Sequence, residues 1–442
     1  MSILSQAESH LQDLSTLLRG DPPPIPVSGH VLRVMGTVVE AVGVSAMIGQ
    51  YARMETPDGW RLGEVIGFSG YHATIMPFGG LRGIFPGALV TLVNQDTSVP
   101  VGWSLLGRVL DAMGRPLDGK PLLATERCQL KKSAPHPLRR SRIRLPMDVG
   151  VRSINALLTV GEGQRVGLFA GSGVGKSVLL GMMARHAFAD VVVIALIGER
   201  GREVREFIED ILGDGLRHSV VVVATADAPP VLRMRGAEYA TAIAEYFRDQ
   251  GKRVLLIMDS LTRYAMASRE AGLAAGELPA TKGYPPSTFT ALSLLTERAG
   301  MGEFGAITAF YSVLVEGDDL QDPVADSVRA ILDGHIILRR DLAASGILPA
   351  IDPSLSASRV MAKVTTDEHL LAARAFVSLW SKYQERSDLL AIGAYAPGSD
   401  PMLDRAIQRY PDMVRFLSQR PDTSCSFAES LHALEEVVGE NK

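Results

Sequence analysis

Between residues 150 and 345 the chain carries five uninterrupted apolar runs: "QRVGLFA", "VVVIALIG", "SVVVVAT", "RVLLIMD" and "AITAFYSVLV". Helical segments lie between them. A strand with one wet face alternates apolar and polar residues, whereas a strand covered on both faces has no need to alternate. Covered strands alternating with helices predict a parallel sheet between two helical layers, the α/β class. The chain has 442 residues, room for roughly three domains of about 150 residues each. At 46% hydrophobic and 21% charged it has apolar material for a sizeable core.

The flanks differ in pattern. Residues 25–95 hold the short runs "HVLRVMGTVVEAV", "RLGEVIGF", "YHATIMPF" and "GALVTLV", split by glycine and proline, which predict a small β-barrel. After about residue 360, "DEHLLAARAFVSLWSKYQE" and "SDPMLDRAIQRYPDMVRFL" are amphipathic and helical. At the start, Leu4, Ala7, Leu11, Leu14 and Leu18 recur at helical spacing ahead of the proline-rich linker "GDPPPIPVSG". Such a helix packs on its own domain or docks a partner, and the spacing fits both. The expected division is 1–24 helix and linker, 25–95 barrel, 96–350 α/β domain and 351–442 helical domain.

Charge and cysteine content narrow the function classes. A net charge of -4 offers no global basic field for nucleic acid. Cys128 and Cys425 stand far apart without a CxxC pattern, which argues against a disulfide framework or zinc site. No secretory signal pattern and no apolar stretch of spanning length is seen.

The chemistry concentrates after the first apolar run. "AGSGVGKS", residues 170–177, matches the phosphate-loop pattern at Gly175, Lys176 and Ser177, with Ala170 where the pattern has its first glycine. That replacement matters only if the position needs a positive φ. Backbone amides of Gly171, Ser172, Gly173, Val174, Gly175, Lys176, Ser177 and Val178 form the expected anion nest at a helix start. Lys176 is the expected partner of the β- and γ-phosphates, and Ser177 of Mg²⁺. Asp259 ends the run "RVLLIMDS", where a carboxylate faces the ligand side of an α/β sheet and holds Mg²⁺ through water. Glu199, at the end of "VVVIALIGER", is a candidate to activate water, though a solvated charge pair reads the same way. Arg200 and Arg263 are candidates to stabilise charge on the γ-phosphoryl.

These residues sit in longer motifs. "GERGREVREF", "VLLIMDSLTRYA", "GYPPSTFTALSLLTERAG", "FYSVLVEGDDLQDPVADSVRAILDGHIIL", "PAIDPSLSASRVM" and "GRVLDAMGRPLDG" together resemble the rotary-type ATPases. The likeness is nearest to the ATPases of flagellar and type III protein export. It implies an N-terminal β-barrel, a RecA-like P-loop core and a C-terminal helical domain. It also implies a homohexamer with ATP and Mg²⁺ sites between subunits. By that resemblance Asp259 is the Walker B carboxylate and Glu199 the water-activating base. Arg359, in "SASRVM", then reaches the neighbouring subunit's nucleotide. Relatives carry an aromatic residue against the adenine where this chain has Leu348, so Leu348 and Tyr395 are the expected base contacts.

"QDPVADSVRAILDGH" and "IGAYAPGSDPMLD" are closer to the flagellar pattern than to the injectisome one. The resemblance implies a cytoplasmic protein, peripheral at the inner face of the cell membrane. Its implied partners are an export gate, substrate–chaperone complexes and a regulatory stator-like protein at the N-terminal helix. Three alternatives stand beside this reading: an injectisome ATPase, a catalytic subunit of a rotary synthase, and an RNA-translocating hexamer. The last wants a basic barrel with stacking aromatics. Residues 25–95 have the aromatics Tyr51, Trp60, Phe68, Tyr71, Phe78 and Phe85 but no basic cluster around them.

Overall fold

A computed structural model describes residues 28–93, 98–123, 126–315 and 321–439. The expected N-terminal helix with Leu4, Leu11, Leu14 and Leu18 lies outside the described residues. The described chain divides into two compact units. One holds the residues up to 93 with Ala274–Gly276, and the other holds the rest.

In the first unit, six strands close a barrel in the order β1-β2-β5-β4-β3-β6, counted among the described residues. They are β1 (Ser28–Met35), β2 (Val38–Val42), β3 (Tyr51–Thr56), β4 (Gly59–Ser69), β5 (His72–Pro77) and β6 (Leu89–Val93). Antiparallel pairing of β1 with β6 makes the closure. Val39, Ala41, Ala52, Met54, Val65, Ile75 and Val90 fill the interior. β3 falls outside the apolar runs because it alternates: Ala52, Met54 and Thr56 are buried while Arg53 and Glu55 are exposed.

The second unit begins with β7 (Ser98–Val101), β8 (Arg108–Asp111) and β9 (Glu126–Gln129), of which β7 and β9 pair as a ribbon. Its main strands follow: β10 (Arg165–Ala170), β11 (Val191–Ile197), β12 (Ser219–Ala224), β13 (Arg253–Asp259), β14 (Gly300–Met301), β15 (Ala306–Leu314), β16 (Gly334–Leu338) and β17 (Ala357–Ser358). The five apolar runs become β10, β11, β12, β13 and β15. These pair in parallel within a sheet ordered β17-β16-β10-β15-β13-β11-β12-β8 among the described residues. The edge strand β8 comes from "GRVLDAMGRPLDG" and pairs in parallel with β12.

Each run lacks alternation because each face has its own core. Along β11, Val192, Ile194 and Leu196 enter one hydrophobic cluster. Val191, Val193, Ala195 and Ile197 enter the other. The helices are α1 (Arg152–Leu157), α2 (Lys176–His186), α3 (Gly201–Glu206), α4 (Pro230–Asp249), α5 (Leu261–Ala274), α6 (Pro286–Glu297), α7 (Pro323–Ile331), α8 (Arg340–Ala344), α9 (Met361–Val364), α10 (Asp367–Ala391), α11 (Pro401–Leu417) and α12 (Phe427–Val438). α4, α5, α6 and α7 cover the second cluster. α2 covers the first together with Phe376 and Trp380 of α10, Phe416 of α11 and Leu434 of α12. The C-terminal helices thus share a core with the sheet.

Candidate active site

β10 delivers the chain to the phosphate loop. Its last residue, Ala170, is buried and pairs with Leu314 and Leu338 on its two neighbours. Lys282 is the one non-glycine residue at positive φ among those described, so Ala170 keeps ordinary strand geometry and needs no glycine. The left-handed turns fall instead at Gly173 (φ 79) and Gly175 (φ 85). Gly175 caps α2, whose first two residues are Lys176 and Ser177. The amides of a first helical turn have no acceptor within the helix, and together with the loop amides they form an anion-binding concavity. Val174 turns its side chain into the core and offers only its backbone.

Beside the loop lies a cleft of about 590 Å³. Gly171, Ser172, Gly173, Gly175, Lys176, Ser177 and Val178 line one wall, and Gly198, Glu199, Arg200 and Arg263 another. Lys176 Nζ donates to Asp259 Oδ1 at 2.5 Å and sits 3.9 Å from Glu199 Oε1. Asp259, at the end of β13, has a side chain only 3% exposed, and the Ser312 hydroxyl also donates to its Oδ1, at 2.6 Å. Burial raises the Glu199 carboxyl, and the Asp259 charge raises it further against the opposing pull of Lys176, so it is pushed up to about 7.

The arginines divide. Arg263 lines the cleft with its Nε buried and without a hydrogen-bond partner among the described residues, a donor that a phosphate oxygen would satisfy. Arg200 also lines the cleft but is exposed, 3.9 Å from Glu203. Arg359 lies elsewhere. Its guanidinium donates to the carbonyls of Leu332 and Arg329, and its amide to that of Asp333, whose own amide binds Arg165 at the start of β10. At about 3.3 Å per residue, the two ends of β10 are roughly 16 Å apart. Arg359 is at the end away from the phosphate loop.

Of the two expected base contacts, Leu348 lies beside the loop. A Cβ built on Gly175 would meet Leu348 Cδ2 at 3.7 Å, and the Leu348 side chain is half-exposed. Tyr395 is not among the residues lining the cleft. It sits between α10 and α11 with its hydroxyl donating to Asp404 Oδ1 at 2.8 Å and accepting from the Asp400 amide.

Three further residues shape the cleft beyond those given a role from the sequence. Gly198 (φ 74) leaves room for the Arg263 stem, whose Cβ lies 2.7 Å from where a glycine Cβ would be built. Arg340 lines the cleft from the start of α8. Ser312 holds Asp259, and it lies within the motif "FYSVLVEGDDLQDPVADSVRAILDGHIIL", which marks its position but not its role.

The donor set suits a hard cation. Among the described residues no group of three or more His, Cys, Asp or Glu side chains is placed to hold a metal. One hydroxyl, Ser177, and one carboxylate, Asp259, beside a phosphate nest match Mg²⁺, which keeps waters and takes its remaining oxygens from phosphate.

The sequence profile of the ATP synthase alpha/beta family, nucleotide-binding domain, matches residues 150–358. The family's beta-barrel domain matches 31–93, and the T3SS EscN ATPase C-terminal domain matches 365–436. The flagellum-specific ATP synthase of Pseudomonas aeruginosa is 55% identical over 412 residues, 91% of each chain. The type 3 secretion system ATPase of Xanthomonas euvesicatoria is 50% identical, over 93% of this chain and 94% of that one. Among solved structures, the assembled ATPase EscN of the enteropathogenic E. coli type III secretion system superposes with a TM-score of 0.88 at 44% identity, covering 93% of this chain and all of that one. EscN in complex with its central stalk EscO gives a TM-score of 0.85. No helix among the described residues is long and apolar enough to cross a membrane.

Proposed function

The chain belongs to the flagellum-specific and type III secretion ATPases of the ATP synthase alpha/beta family, and from that membership we propose that it hydrolyses ATP to drive flagellar protein export. The observation that carries the reaction is one cleft lined by the phosphate loop, Lys176, Glu199 and Arg263, with the buried Asp259 bonded to Lys176. The loop amides and Lys176 hold the β- and γ-phosphates, and Lys176 exchanges its carboxylate partners for phosphate oxygens. Ser177 and Asp259 would hold Mg²⁺, which when bound neutralises charge on those oxygens. Glu199 accepts the proton of a water aimed at the γ-phosphorus. The new bond is from that water oxygen to phosphorus, the bond to the β–γ bridging oxygen breaks, and ADP and phosphate leave. A carboxyl titrating near 7 suits this work, because a base is most effective when its pKa is close to the working pH. Arg263, with Arg200 turned inward, meets the charge that develops on the γ-phosphoryl, and the base packs against Leu348.

Arg359 lies at the far end of β10 and serves a neighbouring copy in this reading, so the working form is a homohexameric ring. A central-stalk partner follows from the EscN–EscO complex. An export gate, substrate–chaperone complexes and a stator-like regulator at residues 1–19 complete the proposed surroundings, on the cytoplasmic face of the cell membrane. The flagellar system is favoured over the injectisome by "QDPVADSVRAILDGH" and "IGAYAPGSDPMLD" and by the 55% identity of the Pseudomonas aeruginosa relative, although flagellum-specific relatives at 45–47% fall below the 50% of the type 3 secretion one.

The test is phosphate release by the purified full chain with Mg²⁺ and ATP. Lys176→Ala removes the charge facing the β/γ-phosphates, so nucleotide affinity and turnover are both expected to fall. Turnover close to that of the unaltered chain would sink the assignment.

A further inference from the structure

β15 runs through the centre of the sheet, yet it carries two small hydroxyl residues, Thr308 and Ser312. Thr308 has a plain structural use, since its Oγ1 accepts the amide of Gly163 in a backbone turn at 2.9 Å. Ser312 is different. It is fully buried, and its hydroxyl donates at 2.6 Å to Asp259 Oδ1, the same oxygen that Lys176 holds. Asp259 Oδ2 accepts no hydrogen bond among the described residues. The same corner is fastened twice more: the Leu314 amide donates to Thr262 Oγ1 at 2.9 Å, and the Arg263 amide to Ser260 Oγ at 3.3 Å. Leu314 itself lines the cleft. The end of β15 is thus tied to the β13–α5 turn that carries Asp259 and Arg263.

The consequence appears when nucleotide arrives. Lys176 cannot serve the phosphates and remain on Asp259 in the same geometry. Once it leaves, a carboxylate that is almost wholly buried retains one protein donor, Ser312. A buried charge without a hydrogen bond is costly and would turn to find one. We propose that Ser312 is a positioning residue for the metal site. Its hydroxyl pins Oδ1 after Lys176 has left, and Oδ2 remains as the oxygen for Mg²⁺. This rests on the ATPase reading of the cleft. It predicts that the hydroxyl strengthens nucleotide binding only when Mg²⁺ is present.

The probe is ADP, titrated calorimetrically into the full chain with Mg²⁺ and, separately, with a chelator. Ser312→Ala removes the hydroxyl without adding bulk. Ser312→Thr and Ser312→Val form a second pair of nearly equal volume that differs by the hydroxyl. Affinity for metal-free ADP is expected to stay within about twofold of the unaltered chain in all three. The enhancement by Mg²⁺ is expected to fall roughly tenfold in Ala and Val, the scale of one hydrogen bond to a charged group, and to persist in Thr. If Val keeps the Mg²⁺ enhancement, or if metal-free and Mg²⁺-bound affinities fall together, Ser312 is a packing residue and the proposal is overturned. An unaltered chain that binds no ADP under either condition would overturn the ATPase reading as well, whereas normal binding with an unchanged Ala and Val profile overturns this inference alone.

Discussion

Glu199 shows how one residue's surroundings set both its chemistry and its cost. Burial and the Asp259 charge disfavour its ionised form, so the folded chain holds this proton up to about pH 7, against the ordinary value of 4.5. Between those values the folded state binds more protons than the unfolded state. Stability therefore falls as pH rises through that window. Glu199→Gln cannot lose a proton. Its melting temperature relative to the unaltered chain is expected to rise in its favour from pH 4 to pH 8, while hydrolysis drops by about 10²-fold or more and ATP binding survives. A pH-independent difference in melting, or loss of binding together with hydrolysis, would make Glu199 an ordinary structural acid. Lys176, Ser177 and Asp259 were legible from spacing because each follows an apolar run at a fixed offset. Ser312 was not, because its role depends on which strand lies beside β13, and order within a sheet leaves no mark in a single strand.

At the scale of elements, the loops after β10 and β11 line the cleft, and each turns on glycine. Gly198 is the sharper case. It takes φ 74, and a Cβ there would lie 2.7 Å from Arg263 Cβ. Gly198→Ala combines a left-handed alanine, a strain of about 1–3 kcal/mol, with a clash that moves Arg263. Hydrolysis is expected to fall while ADP binding, which depends on the loop after β10, holds. Gly201→Ala is the control, because nothing lies within 4 Å of its added Cβ and its φ is not positive. Equal turnover in the two variants would show that the Arg263 position does not matter. The central strands were legible because a run such as "VVVIALI" feeds two cores at once. β3 was missed for the opposite reason, since Arg53 and Glu55 interrupt its apolar residues on the solvent side. β8 was missed as a strand because four residues at a sheet edge carry too little pattern to stand out.

The whole molecule places its chemistry at one end of the sheet and Arg359 at the other. The C-terminal helices were legible as helices, but their packing into the core under α2 was not, because amphipathic spacing tells which face is buried and not against what. Arg359 was singled out by resemblance, and here the geometry adds an argument of its own. Its guanidinium is held by the carbonyls of Leu332 and Arg329, beside the start of β10, while the phosphate loop follows the end of that strand roughly 16 Å away. An arginine so placed would need a large rearrangement to reach its own chain's nucleotide, whereas a ring neighbour can bring it there. Arg359→Ala is therefore expected to bind ATP nearly normally and to lose roughly 10³-fold in hydrolysis, the scale of such arginines. The informative experiment mixes Lys176→Ala with Arg359→Ala, each inactive alone. In a mixed ring some interfaces join an intact Lys176 to an intact Arg359, so partial activity should return and peak near equal proportions. A site built within one chain leaves every chain defective, and mixing then restores nothing. Mixed assemblies confirmed by mass that stay inactive would therefore return Arg359 to a structural role, fastening the turn between α7 and β16.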